Sequence, residues 1–166
     1  MHTKIKLGIS SCLLGNNVRY DGGSRLDRDL LDRVGGDVEW VPFCPEVGAG
    51  LPVPREPMQL VGDETRPRMV TIGTRQDRTD AVLAWTERML MRLEQEGIQG
   101  LVLKARSPSC GVHDAELFSG SGRSLGFRAG LFAAAVLERF PDLPVEDAER
   151  LHDRTAREAF LARILG

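Results

Sequence analysis

Short apolar runs of strand length alternate with amphipathic helical runs along this chain, and that alternation constrains the fold more than any other feature. Lys4–Ile9 (KIKLGI), Val38–Phe43 (VEWVPF) and Leu101–Lys104 (LVLK) read as strands. Between the first two, Leu26, Leu30, Leu31 and Val34 share one helical face, with Ser24 as cap and Gly35-Gly36 as stop. Val82, Trp85, Met89 and Leu93 mark a stronger helix running from Thr79 or Asp80 to Gly97. Arg128–Phe140 is an Ala-rich helical stretch; a brief extended piece at Leu143–Val145 precedes a last helix over residues 147–165. Residues 45–68, dense in Pro, Gly and charge, read as one long loop, 69–72 as a short extended piece, and 119–126 as a Gly/Ser-rich connection. Strands alternating with helices specify βαβ units. The expected fold class is α/β: a mainly parallel sheet flanked by helices, Rossmann-like, as a single domain over residues 1–166.

The chain's 166 residues suit one domain with a sizeable core. A net charge of −2 at pH 7 offers no basic excess for nucleic acid. No apolar run reaches the length of a membrane span, so no membrane partner is expected. Met1–Lys6 leads into the first strand without the pattern of a signal peptide. The expected location is cytoplasmic. There, and with an odd count of 3 cysteines, a structural disulfide is disfavoured.

Each cysteine follows the C-terminal end of a predicted strand: Cys12 in ISSC, Cys44 in VPFC, Cys110 in LVLKARSPSC. In an open parallel sheet the strand C-termini share one edge, and ligands bind in the crevice there. The three thiols are therefore expected to converge. A cysteine is often only a small buried hydrophobe. Here Ser11, Pro45 and Gly111 are turn formers rather than core neighbours, and such turns free backbone N–H groups to face an anion or a cluster. Three thiolates leave one corner of a tetrahedral or cubane site open, whereas a structural zinc has four protein ligands. All-thiolate coordination suits zinc, copper(I) or iron–sulfur. No CxxC pair narrows that choice. His113 is a candidate fourth ligand, or a surface loop histidine.

Glu46 lies two residues beyond Cys44 and can act at the open corner as a general base; otherwise it is a loop carboxylate paired with Arg55. Ser107 and Ser109 can donate or relay protons, or serve the turn around Pro108. Asp21 can orient a ligand, or make the ordinary turn that Asp-Gly signals. Arg55 and Arg128 are candidates for a phosphate or a carbonyl oxygen. Ser119-Gly120-Ser121-Gly122 lacks the Lys-Ser/Thr of a P-loop and fits no dinucleotide fingerprint.

The blocks ISSCLLGNNVRYDGGS, CPEVGAGLPVPREP, LKARSPSCG and GFRAGLFA, in that order over nearly the whole chain, resemble the thiouracil/thiouridine desulfidase family. The resemblance implies an α/β protein with a 4Fe-4S cluster on Cys12, Cys44 and Cys110 and one open iron. It implies catalytic roles for Glu46 and Ser107, and as substrate a small thiolated pyrimidine base, nucleoside or nucleotide. The products would be uracil or uridine and hydrogen sulfide, without net redox change. On that reading the soft sulfur meets the open iron, Glu46 takes a proton from water and Ser107 relays one. FPDLPVEDAERLHDRTAREAFLARIL resembles the subgroup acting on 4-thiouridine in tRNA, which adds tRNA as an expected partner. Many longer relatives of that subgroup carry a second helical domain after such a segment; this chain ends at Gly166, so free-standing and shortened tRNA-directed forms both stay open. The rival expectation is a non-catalytic metal-binding or electron-transfer iron–sulfur protein, which a fourth cysteine would have favoured.

Overall fold

Side chains along a strand alternate between two faces, and in the computed structural model of this chain both faces of the main sheet are covered by helices. The structure describes residues 4–166; Met1, His2 and Thr3, on which part of the signal-peptide reading falls, lie outside the described residues. In chain order the elements are β1 (Ile5–Ser10), α1 (Arg28–Val34), β2 (Val38–Phe43), α2 (Pro45–Gly48), β3 (Met58–Gly62), β4 (Pro67–Thr71) and α3 (Thr79–Gln95). They continue as β5 (Gly100–Leu103), β6 (Ala115–Phe118), β7 (Ser124–Arg128), α4 (Leu131–Arg139), β8 (Val145–Asp147) and α5 (Arg154–Leu165). Short 3-10 segments occupy Ser11–Leu14 and Arg150–His152.

The main sheet has the order β2-β1-β5-β8 with every pairing parallel. Leu7, Ile9 and Val102 face Leu30 and Val34 of α1, Leu151, and Phe160 of α5. Phe43, Leu101, Leu103 and Val145 face Met89 and Leu93 of α3 and Phe132 and Val136 of α4. All four residues of β5 are buried, as a parallel strand covered on both faces requires. Complete burial of side chains such as Leu101, Leu103 and Phe132 contributes roughly 1.5–3 kcal/mol each. The α/β expectation, with a parallel sheet flanked by helices in a single domain, agrees with this architecture. Among the described residues no helix is long and apolar enough to cross a membrane.

A second sheet, of order β4-β3-β6-β7, departs from the sequence reading. It is antiparallel at β3–β4 and β6–β7 and parallel at β3–β6. Its inner residues Leu60, Met69, Ala115 and Leu117 pack against Val82 of α3 and Leu131 of α4. Residues 45–68 are thus not one loop, since they hold α2, β3 and the start of β4. Likewise β7 occupies part of the Gly/Ser-rich stretch. With one face in water, these strands carry enough polar residues to hide their pattern. Arg128 ends β7 rather than starting a helix, and α4 begins only after Gly130. Residue 147 closes β8, and the last helix starts at Arg154. Ser24 does not cap α1; Asp27 does, its Oδ1 accepting the Leu30 N–H at 3.1 Å.

The C-terminal segment is latched to α1 by His152. Its Nε2 stands 2.7 Å from Asp27 Oδ2 and its Nδ1 3.0 Å from Asp29 Oδ2. Hydrogen bonding to Asp27, then the Asp27 and Asp29 charges, raise the His152 pKa above its ordinary value. A raised folded-state pKa stabilises the fold fully below the unfolded value of about 6.5 and is lost as pH rises through the folded value. Because His152 is 39% exposed, the effect is screened and stays within about 1 kcal/mol. The urea midpoint of the protein should therefore fall as pH rises above about 6.5, and His152→Gln should flatten that slope. An unchanged slope in the variant would show that the latch contributes nothing.

Candidate active site at the carboxyl edge of the main sheet

The hydrogen-bond register sets Ser10, the last residue of β1, beside Phe43, the last of β2. The chain leaves β1 into the Ser11–Leu14 segment, which carries Cys12. It leaves β2 at Cys44, the N-cap of α2, with Pro45 preset for the first turn. Beyond β5, the loop Lys104–Gly111 carries Cys110. All three cysteines line one cavity of about 340 Å³, within the range of small-molecule sites.

No cysteine is in a disulfide; Cys12 and Cys110 are buried and Cys44 is half-buried. Burial pushes the Cys110 thiol up to about 12, although a Ser10 hydroxyl opposes the rise. Burial also raises Cys12, opposed chiefly by the Lys104 charge. It raises Cys44, opposed by the backbone N–H groups of Val47 and Glu46 at the start of α2. Each sulfur also repels its neighbours' negative charge. Three thiols held like this ionise together only if a cation compensates them. Among the described residues, no three His, Cys, Asp or Glu side chains converge tightly enough to hold one metal ion.

Glu46, in the first turn of α2, has both carboxylate oxygens engaged. Oε1 accepts from Arg55 Nε at 2.9 Å, and Oε2 accepts from Ser109 Oγ at 3.2 Å. Ser109 Oγ lies 3.0 Å from Ser107 Oγ, so the two hydroxyls and the carboxylate form one chain. Ser107 Oγ also accepts the N–H groups of Ser109 (3.1 Å) and Cys110 (2.9 Å), which shapes the turn around Pro108. The N-terminal N–H groups of α4 are used on this same turn: Leu131 donates to Pro108 O at 3.0 Å and Phe132 to Ser109 O at 3.0 Å. That approach requires Gly130, where a Cβ would stand 2.6 Å from the Ser109 carbonyl carbon. Phe43, Trp85 and Phe132 make a tilted aromatic cluster beside the site, with Trp85 and Phe132 centroids 5.3 Å apart.

The cavity wall is basic. Arg19, Arg25, Arg55, Lys104 and Arg106 line it, against the one carboxylate of Glu46. Arg106 is committed to Glu149, at 2.7 and 2.6 Å. Arg19 is less well satisfied: its buried Nε has no hydrogen-bond partner, and Asp21 stands 3.6 Å away. Lys104 Nζ donates to Ala105 O at 3.0 Å; burial, then the Arg106 charge, lower its pKa.

Of the residues singled out in the sequence, Cys12, Cys44, Cys110, Glu46, Ser107, Ser109 and Arg55 line this cavity. Asp21, Arg128 and His113 lie outside its lining. Asp21 Oδ1 accepts the Gly23 N–H at 2.9 Å in a tight turn. Arg128 donates to Ala129 O at 2.6 Å and to the Glu64 carbonyl between β3 and β4. His113 is exposed. Ser10, Arg19 and Lys104 also line the cavity. Ser10 and Lys104 close β1 and follow β5, so the strand-exit logic that found the cysteines would have found them too.

A family model described as 2-thiouracil desulfurase matches residues 7–148. The chain is similar to the uncharacterized protein YbbK of Bacillus subtilis (strain 168), with 27% identity over 108 residues, or 62% of this chain and 71% of that one. It is also similar to a solved structure, the 4Fe-4S-dependent thiouracil desulfidase TudS. That match has a TM-score of 0.74 and 31% identity, and covers 94% of this chain and 99% of the other. The family match runs from Leu7 within β1 past the end of β8 and takes in all three cysteine-bearing exits, and on that extent the chain belongs to the 2-thiouracil desulfurase family.

Proposed function

We propose that this protein is a non-redox desulfidase that binds a 4Fe-4S cluster through Cys12, Cys44 and Cys110 and replaces the sulfur of a thiolated pyrimidine with oxygen from water. The observation that carries the reading is the sharing of one cavity by three thiols, two of them buried and one half-buried, and a Glu46–Ser109–Ser107 hydrogen-bonded chain. The donor set fits the group. Thiols raised by burial are held as thiolates when iron compensates them. A cubane presents separate iron corners, so its thiolates need a wider spacing than a single ion demands. With three cysteine ligands one iron would lack a protein ligand, and the cluster would supply a soft Lewis acid for the thiocarbonyl sulfur. An oxygen-sensitive group of this kind also suits the reducing cytoplasm.

Glu46 acts on the water. It is hydrogen-bonded to Arg55 and stands on the cavity wall, so it can take a proton as oxygen adds to the ring carbon. Ser109 and Ser107 carry protons along the wall to the departing sulfur side. The carbon–sulfur bond gives way to a carbon–oxygen bond, and the two protons of water leave with sulfur as hydrogen sulfide. Arg19 and Lys104 supply positive charge for an anionic substituent, so the substrate favoured is a thiolated nucleotide of small-molecule size. The tRNA reading is supported by the C-terminal resemblance alone, whereas the cavity volume supports the small ligand. An electron-transfer protein would release no sulfide from either.

Ala at Cys12, Cys44 or Cys110 should abolish iron retention after anaerobic reconstitution, while His113→Ala keeps it, as iron and sulfide analysis would report. Equal iron loss in His113→Ala would mean a fourth protein ligand and sink the open-iron chemistry. Glu46→Gln should retain iron and lose a factor of about 10² to 10⁴ in single-turnover sulfide release; wild-type rates there would remove Glu46 as the base. Arg19→Met should raise KM for thiouridine monophosphate by about tenfold or more, the worth of a charged hydrogen bond, and leave KM for free thiouracil near wild type. Sulfide release from 4-thiouridine tRNA with a higher kcat/KM than from the nucleotide would overturn the small-substrate assignment.

A further inference from the structure

Arg55 has the geometry of a clamp rather than of a ligand-binding arm. Its side chain is only 7% exposed. Each of its three nitrogens reaches a different protein acceptor. Nε donates to Glu46 Oε1 at 2.9 Å, Nη2 to Val18 O at 2.9 Å, and Nη1 to Pro52 O at 3.2 Å. Its backbone N–H adds a bond of 2.7 Å to Tyr20 O. The carbonyls on both sides of Arg19 are therefore held by one residue. Arg19 in turn lays its guanidinium over the Tyr20 ring, 5.3 Å from the centroid.

We infer that Arg55 is a positioning residue that sets the orientation of the Glu46 carboxylate and, through Val18 and Tyr20, the seat of Arg19 on the cavity wall. The inference rests on the desulfidase reading, because it gives Glu46 and Arg19 their tasks. It moves Arg55 from the substrate to the frame. Glu46 sits on a helix of four residues, whose own hydrogen bonds hold a side chain weakly. The loop 15–25 carries no strand or α-helix. Neither element is stiff by itself, and the guanidinium ties one to the other. A planar fork with donors in fixed directions can satisfy three acceptors at once, which a lysine ammonium on a flexible stem cannot reproduce. Small displacements of a reacting group cost rate steeply: about 1 Å of misplacement can lose a hundredfold.

The test compares wild type, Arg55→Met and Arg55→Lys, each reconstituted anaerobically, with free thiouracil as substrate because it has no phosphate for Arg19. The expected result is iron content equal to wild type, kcat lowered about 10- to 100-fold, and KM within about twofold of wild type. Added guanidinium should restore part of the Arg55→Met rate and none in wild type. Limited trypsin digestion should cut the variant faster at Arg19 and Arg25, reporting the freed loop without reference to turnover. Should Arg55→Met fail to fold or to hold iron, Arg55→Lys carries the same expectations with a smaller kcat loss. Raised KM with unchanged kcat would overturn the inference in favour of direct substrate binding. Unchanged trypsin cleavage together with wild-type kcat would overturn it outright. If wild type itself holds iron but releases no sulfide, the desulfidase reading fails instead.

Discussion

Parallel hydrogen bonding of β1 to both β2 and β5 is the constraint on which the rest of the molecule depends. It points three strand ends the same way and fixes their lateral spacing, so cysteines that lie 32 and 66 residues apart along the chain open into one cavity. Neither local turn chemistry nor hydrophobic burial alone achieves this. The ladder in turn needs cover on both faces, because a parallel sheet with one wet face is rarely stable. Leu7 and Ile9 on one side, and Leu101 and Leu103 on the other, supply it by strict alternation.

Burial then sets the chemistry. The thiols sit where charge is unwelcome, and their ionisation depends on a compensating positive group. The same wall carries a surplus of cations on a chain whose net charge is −2. Two of them, Arg55 and Arg106, are neutralised by Glu46 and Glu149 at hydrogen-bond distance, while Arg19 is not. The site thus holds a fixed carboxylate–arginine pair at α2 and a less committed cation, Arg19, near Cys12.

The smaller sheet shows how support for the site reaches beyond the cysteine-bearing strands. Leu131 of α4 packs against β6 and β3, and α4 in turn ends its free N–H groups on the Pro108 and Ser109 carbonyls. Gly130 permits that contact, which no residue with a Cβ would allow without displacement of backbone. The turn that carries Ser107, Ser109 and Cys110 is held from inside by the Ser107 hydroxyl and from outside by this helix end.

By itself the sequence determined that the chain is α/β, that β2 runs over Val38–Phe43, that a helix starts at Thr79 or Asp80 and is closed by Gly97, and that Cys12, Cys44 and Cys110 stand at strand exits. These features are legible because they depend on periodicity and on direction along the chain, which neighbouring residues encode. The partners of side chains far apart in sequence were decided only by the tertiary structure. Glu46 reads equally as a free base or as half of an ion pair until Arg55 is seen 2.9 Å away with its other nitrogens on Val18 and Pro52. Asp21 and Arg128 carry the right charges for a site, yet their side chains turn to local backbone. The second sheet escaped notice because its half-exposed strands blur the apolar alternation. Hydrogen bonds and charge pairs depend on distances of a few ångströms, which only the packed chain defines, whereas the positions of helices and of fully covered strands follow from patterns written locally along it.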